Sequence, residues 1–304
     1  MTRAVRITGG AGYDPALLNE TVEAALVGTG WALMEGDADL VIDVDALVPT
    51  GLDTLAFPVR AALIEHEHPG RIVHYGDDPE QWISWREPVG EARGVAVLVH
   101  GGFYRSRWRA DLMTALAVDL AERGWLAANL EYRRPDRHGW DTTVADILEG
   151  VAVASRERTD LPIVLFGHSA GGQLVLQAIE TLEPGTVDLA VSLTGVVDLA
   201  AACQRGMGEH AIQLALGGTP AQQPERYAAA DPTAWTSRHG EWLLVECHDD
   251  STDLREMNRR LASRDDLDRP ELIEGPGNHF SVVDPAADVW HATIERVEEI
   301  VRAL

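Results

Sequence analysis

Three separated stretches of this sequence carry residue types that together can run acyl-transfer chemistry. The first is LFGHSAGGQ, Leu165 to Gln173. An apolar run, Ile163 to Phe166, enters it, and Leu174, Val175, Leu176, Ala178 and Ile179 leave it at helical spacing, which predicts strand, sharp turn, helix. In that frame Gly167-x-Ser169-x-Gly171 reads as a nucleophile elbow. The serine sits in a strained turn, and the glycines let neighbouring chain pass where a Cβ would not fit. Ser169 then projects at the N-terminus of the following helix, where developing negative charge is favoured.

A serine hydroxyl is a weak nucleophile near neutral pH, so it needs a base within hydrogen-bond reach and a carboxylate that holds the base in one tautomer. Among the 11 histidines, His279 lies on a late loop, EGPGNHFSVVDP, where Gly275, Pro276, Gly277 and Asn278 build a turn that presents the ring. The acid is expected after the strand ending in VEC, where His248, Asp249, Asp250 and Asp253 follow. Adjacent residues point in different directions, so one of the neighbouring pair faces His279. Asp250 is favoured over Asp249, and Asp253 reads as a first-turn acid of the next helix.

The third stretch is His100-Gly101-Gly102-Phe103, directly after the strand VAVLV. A glycine pair there lets main-chain N–H groups turn toward a carbonyl oxygen that becomes negative in a tetrahedral intermediate. The expected donors are Gly102, Phe103 and, after the nucleophile, Ala170. His100 reads as a brace for the loop rather than a second base. Tyr104, Trp108 and Trp140 belong to segments that end at the same edge and are expected to form an apolar wall beside Ser169.

The elements that must position these groups become regular from about Arg71. RIVHY and QWISWRE alternate in polarity around the turn-rich GDDPE, as a hairpin does. GVAVLVH and WLAANLEY are nearly continuous apolar runs, which predicts strands buried on both faces; DLAVSLTG, EWLLVECH and PELIEG supply further strands. Helices are expected over Leu112 to Arg123, Val144 to Arg156 and Val289 to Leu304. The alternation predicts an α/β fold with a mostly parallel central sheet of about eight strands and flanking helices. Residues 199–235 form a longer helical stretch, read as a small lid over the sheet's carboxyl edge.

HGGFYRSRW, LEYRR, GHSAGGQL, LGGTP followed by PERYAAADP, and GPGNHFSVVDP stand in this order along the chain. In these motifs the sequence resembles the α/β-hydrolase fold, in particular its small esterases and kynurenine-formamidase-like enzymes with an HGG-x-aromatic loop. The resemblance covers Arg71 to Leu304. It implies Ser169 as nucleophile, His279 as base and Asp250 as acid, the last because relatives often carry HGxxD at the position of Glu246 to Asp250. Two departures stand out: Tyr104 where the formamidase-like loop usually has tryptophan, and ECHDDSTDL in place of HGxxD followed by Val-Pro.

Residues 1–66 fall outside that resemblance. VRITGGAGY and DADLVIDVDALV look like pieces of a dinucleotide-binding unit, but Asp14-Pro15-Ala16 stands where the third glycine should follow. Some sixty residues also cannot supply a complete doubly wound fold. The segment is therefore read as an appended strand-helix-strand piece or packing arm. Pro49 to Pro58 reads as the connection into a catalytic domain over 67–304.

The net charge of −24 argues against nucleic-acid and anionic-membrane partners. No apolar run approaches the roughly 20 residues of a membrane span, and the N-terminus lacks the apolar stretch of a secretion signal, which together predict a cytoplasmic protein. Cys203 and Cys247 are too few for a disulfide framework. The expectation is a serine hydrolase, independent of cofactor and metal, that cleaves an ester with a short acyl group and an aromatic leaving group. An arylformamidase is the nearest alternative. A hydrolase-like binding protein that has lost its acid and an oxidoreductase built on the first 66 residues represent other classes. The expected partner is a small-molecule ester or amide, with a homo-oligomer left open.

Overall fold

Residues 2–10, 12–45, 47 and 55–304 are described by the computed structural model, and the chain falls into two units, Met1–Gly70 and Arg71–Leu304. The first unit runs β1 (Arg3–Thr8), α1 (Pro15–Leu26), β2 (Trp31–Leu33), β3 (Leu40–Asp43) and α2 (Ala56–Glu67). Its strands form a parallel sheet in the order β2-β1-β3. Helix α1 starts where the Asp14 carboxylate accepts the N–H groups of Ala16 and Leu17, with Pro15 in the first turn. Leu18, Val22 and Leu26 of that helix pack with Val5, Trp31, Ile42, Val59 and Leu63 into a core of their own.

This unit holds more than a strand-helix-strand piece, and it ends at Gly70 rather than at residue 66 because α2 runs on to Glu67. The expected connection from Pro49 lies outside the described residues as far as position 54; from Ala56 the chain is already helical. At the carboxyl end of β1, Gly9 and Gly10 adopt left-handed φ of 76° and 78°. The Gly10 N–H donates to Asp45 Oδ1 at 2.9 Å. A Cβ on Gly9 would lie 2.5 Å from Asp43 Oδ1 and 2.6 Å from Asp45 Oδ2, so carboxylates crowd this glycine loop.

In the second unit the apolar runs become β4 (Arg71–His74), β5 (Trp82–Arg86), β6 (Val95–Val99), β7 (Leu126–Glu131), β8 (Ile163–His168), β9 (Leu189–Leu193), β10 (Glu241–Cys247) and β11 (Glu271–Gly275). They build one eight-stranded sheet in the order β11-β10-β9-β8-β6-β7-β5-β4. Strands β6 to β11 are parallel, and β5 runs antiparallel to both β4 and β7. Every residue of β6, β7, β8 and β9 is buried, which is why their sequences lack alternation. The flanking helices are α3 (Thr114–Glu122), α4 (Pro135–His138), α5 (Trp140–Glu157), α6 (Ala170–Thr181), α7 (Leu199–Gln204), α8 (Met207–Leu216), α9 (Pro224–Ala230), α10 (Thr252–Ala262) and α11 (Asp288–Ala303). Among the described residues no helix is long and apolar enough to cross a membrane.

The strand order reverses at β6, with β7 on one side and β8 on the other, so the carboxyl ends of β6 and β8 lie at the switch point of the sheet. Register then fixes what meets there. Val99 pairs with Gly167, His168 and Val245 both pair with Leu193, and Cys247 pairs with Gly275. The segments starting at residues 100, 169, 194, 248 and 276 therefore all leave the sheet along one edge.

Candidate active site

Strand β8 turns into α6 within one residue. Ser169 takes φ 54° and ψ −115°, in the sparsely populated left-handed half of backbone space, at a cost of roughly 1–3 kcal/mol. The turn is held by the Ser169 N–H donating to Leu193 O at 2.9 Å and by the Val196 N–H donating to Ser169 O at 3.2 Å. Close approach accounts for the glycines. A Cβ on Gly171 would run into the Val99 carbonyl oxygen, and one on Gly101 would lie 2.6 Å from His168 O and 2.8 Å from Ser169 Cβ. The HGG loop after β6 thus passes directly against Ser169, itself only 2% exposed.

His279 arrives on the loop after β11. Its Nδ1 lies 2.8 Å from Asp250 Oδ2 and 3.2 Å from Thr194 Oγ1. Its main-chain oxygen accepts a hydrogen bond from His168 Nε2 at 2.9 Å. The Asp250 side chain is almost fully buried, and its other oxygen accepts the Ser251 N–H at 2.6 Å, whereas Asp249 faces the surface. Of the two neighbouring acids, the structure thus brings Asp250 to the histidine. Asp253 stands in the first turn of α10. Burial first, and the neighbouring His279 second, hold the His168 ring down to about 3, so it is neutral and carries its proton on the donating Nε2. Among the described residues no hydrogen bond joins Ser169 Oγ to His279 Nε2; such contacts commonly close only when substrate is bound.

The loop after β6 is strained along its length: Gly102, Phe103 and Tyr104 have φ of 117°, 50° and 59°. Several contacts hold it. The Tyr132 hydroxyl donates to His100 O at 2.8 Å, and the two rings stack with centroids 4.4 Å apart. Burial, then the Arg134 charge, hold His100 down to about 3, which keeps this brace neutral. Arg105 donates to Gly208 O at 2.6 Å and to Glu209 Oε2 at 2.9 Å, and the Phe103 ring packs on Gly208. These partners belong to the start of α8, where Gly208, Glu209 and His210 are left-handed. Among the described residues the N–H groups of Gly102 and Phe103 donate to no protein acceptor. The Ala170 N–H, first in α6, has no intrahelical partner.

The aromatic residues are distributed differently from the sequence expectation. Tyr104 and Trp140 are 2% and 4% exposed and meet edge to face inside the core, 5.4 Å between centroids. Left-handed φ at Phe103 and Tyr104 turns the tyrosine inward, where its hydroxyl donates to Gln173 Oε1 at 3.0 Å. Trp140 opens helix α5 after the left-handed Gly139 instead of lying on a loop. Trp108 alone of the three is partly exposed. It packs on Gly102 and stacks with Phe280, centroids 6.3 Å apart, and Phe280 stands edge-on to His279 at 5.4 Å.

No protein-family model and no curated protein matches the chain. Solved structures do match it. An esterase of Thermogutta terrifontis shares 19% identity with a TM-score of 0.58, over 76% of this chain and 91% of that one. A bacterial heroin esterase shares 21% identity with a TM-score of 0.61, over 77% and 83%. A truncated carbohydrate esterase from gut microbiota shares 14% identity with a TM-score of 0.62, over 76% and 95%. The fold is the α/β-hydrolase fold.

On this α/β-hydrolase sheet three residues reach His279 that the sequence did not single out: Thr194, His168 and Phe280. Phe280 had a signal, since it directly follows the loop histidine. Thr194 and His168 had none, because their contacts arise between strand ends far apart in the chain. Among the described residues no group of three or more His, Cys, Asp or Glu stands close enough to hold a metal ion.

Proposed function

We propose that this protein is a serine hydrolase that cleaves carboxylic esters with a short acyl group and an aromatic leaving group. One observation carries the reading: His279 Nδ1 meets the buried Asp250 carboxylate at 2.8 Å, at the sheet edge where Ser169 occupies its strained turn. In the reaction His279 Nε2 takes the Ser169 proton as Oγ bonds to the carbonyl carbon, while the N–H groups of Gly102, Phe103 and Ala170 stabilise the oxyanion. The imidazolium then protonates the departing oxygen, the C–O bond breaks, and an acyl-enzyme remains. Water, deprotonated by the same nitrogen, attacks the acyl carbon, and Ser169 leaves with its proton restored. Asp250 keeps the Nδ1 proton in place throughout.

The solved neighbours named as esterases support an ester as the bond cleaved, and the half-buried pair Trp108 and Phe280 beside His279 supports an aromatic leaving group. The same pair favours an arylformamidase as the second reading, since a formyl anilide presents a small acyl group and a flat ring. The contact between Asp250 and His279 counts against a binding protein that has lost its acid. Capture of the Gly10 N–H by Asp45 counts against a nucleotide pyrophosphate at the glycine loop.

The test is hydrolysis of p-nitrophenyl acetate, of a long-chain alkyl ester and of N-formylkynurenine, side by side, with covalent labelling by a fluorophosphonate. We expect labelling at Ser169, preference for the aryl ester, and losses of about a thousand-fold or more in Ser169→Ala and His279→Ala. Absence of labelling overturns the reading, and efficient deformylation moves it to the second.

A further inference from the structure

We infer that Thr194 is a positioning residue for His279, a second acceptor for the Nδ1 proton beside Asp250. The inference rests on the hydrolase reading for its kinetic arm only. Thr194 follows β9 directly and takes φ 47°, a left-handed conformation that a β-branched residue adopts only under strain. It is 1% exposed, and its N–H donates to Val245 O at 2.7 Å, which ties it to β10. A glycine would carry this backbone without strain, and the chain has one at the next position, Gly195. The strained, buried position instead presents a hydroxyl whose oxygen lies 3.2 Å from His279 Nδ1.

One N–H cannot make two short hydrogen bonds, and the distances divide the roles: 2.8 Å to Asp250 Oδ2 and 3.2 Å to Thr194 Oγ1. Asp250 is the main partner. A single acceptor leaves the ring free to pivot about the Nδ1···Oδ2 line, so that Nε2 has no fixed aim. A second acceptor on a different strand removes that freedom. His168 fixes the main chain of the same residue through its carbonyl oxygen. His279 is therefore held from the ends of three successive neighbours in the sheet, β8 through His168, β9 through Thr194 and β10 through Asp250. The carboxylate supplies charge, and the hydroxyl supplies aim.

The test compares Thr194→Val, which keeps branching and volume but removes the hydroxyl, with Thr194→Ser, which keeps the hydroxyl. Two readouts are taken on the full chain: kcat and KM for p-nitrophenyl acetate, and the ¹⁵N resonances of the His279 ring assigned by their loss in His279→Gln. Thr194→Val is expected to lower kcat about tenfold with KM unchanged, the size of one hydrogen bond to a group charged in the transition state. It is also expected to shift the Nδ1 resonance, and Thr194→Ser should recover most of both. Wild-type kcat and an unmoved Nδ1 resonance in Thr194→Val overturn the inference, as does a serine variant as impaired as the valine one. Should the valine variant not fold, Thr194→Ala is read against Thr194→Ser in the same way. If the wild-type protein does not turn over the ester, the hydrolase reading fails, and the ring resonance still decides on Thr194.

Discussion

Asp249 and Asp250 differ by one step along the chain, yet one carboxylate is buried against His279 and the other meets water. Asp250→Asn should therefore lower kcat/KM for an aryl acetate by about a thousand-fold or more, because the amide no longer fixes the Nδ1–H tautomer, while Asp249→Asn stays within about twofold. Comparable losses in both variants would show that Asp250 does not orient the base. The buried neutral rings of His100 and His168 make a different prediction. Each binds its proton at about 3 in the folded protein and near 6.5 once unfolded. Between those values the unfolded chain holds protons that the folded one does not. Their contribution is thus intact above 6.5 and lost as pH falls toward 3, by about 1.4 kcal/mol per pH unit for each ring. Asp111 and Asp231, whose carboxyls burial pushes upward, oppose this slope. The ring term is isolated by urea unfolding between pH 6 and 4.5: the His168→Asn protein should show a shallower loss of stability than wild type, and parallel slopes would refute it.

At the scale of elements, two turns and a strained loop are pressed together with no spare volume. In Gly171→Ala the added methyl meets the Val99 carbonyl oxygen, which belongs to the central strand and cannot retreat. A loss on the order of 3 kcal/mol in urea unfolding is expected, and an unchanged midpoint would mean that the helix slides aside. The elements themselves were readable from the sequence because buried parallel strands announce themselves as apolar runs, and the elbow because strand, Gly-x-Ser-x-Gly and helix are contiguous. The aromatic wall was not. Whether a loop side chain faces the cleft or the core depends on the sign of φ, and Phe103 and Tyr104 adopt a sign that no residue type there advertises. Trp140 was misplaced for a related reason, since Gly139 starts a helix earlier than the apolar periodicity does. Thr194 lay beyond the reach of sequence because strand register, not spacing, brings it to His279.

For the whole molecule, the sequence left residues 1–66 the least legible. Their glycine-rich strand end imitates a nucleotide site, and only the fold shows carboxylates occupying the loop. Each unit has its own core, so a chain beginning at Arg71 should fold and keep kcat/KM for an aryl acetate within about threefold of the full chain. Saturable NAD(P) binding to the full chain, abolished by Gly10→Val, would instead give the first unit a cofactor. A last consequence follows from Arg105, whose guanidinium grips the left-handed turn at Gly208 and Glu209 while its backbone continues the Gly102–Tyr104 loop. Any swing of the α8 turn away from the sheet drags on that loop. The loop beside Ser169 and the α8 turn are thus one mechanical piece, and a fault in either is felt in the other.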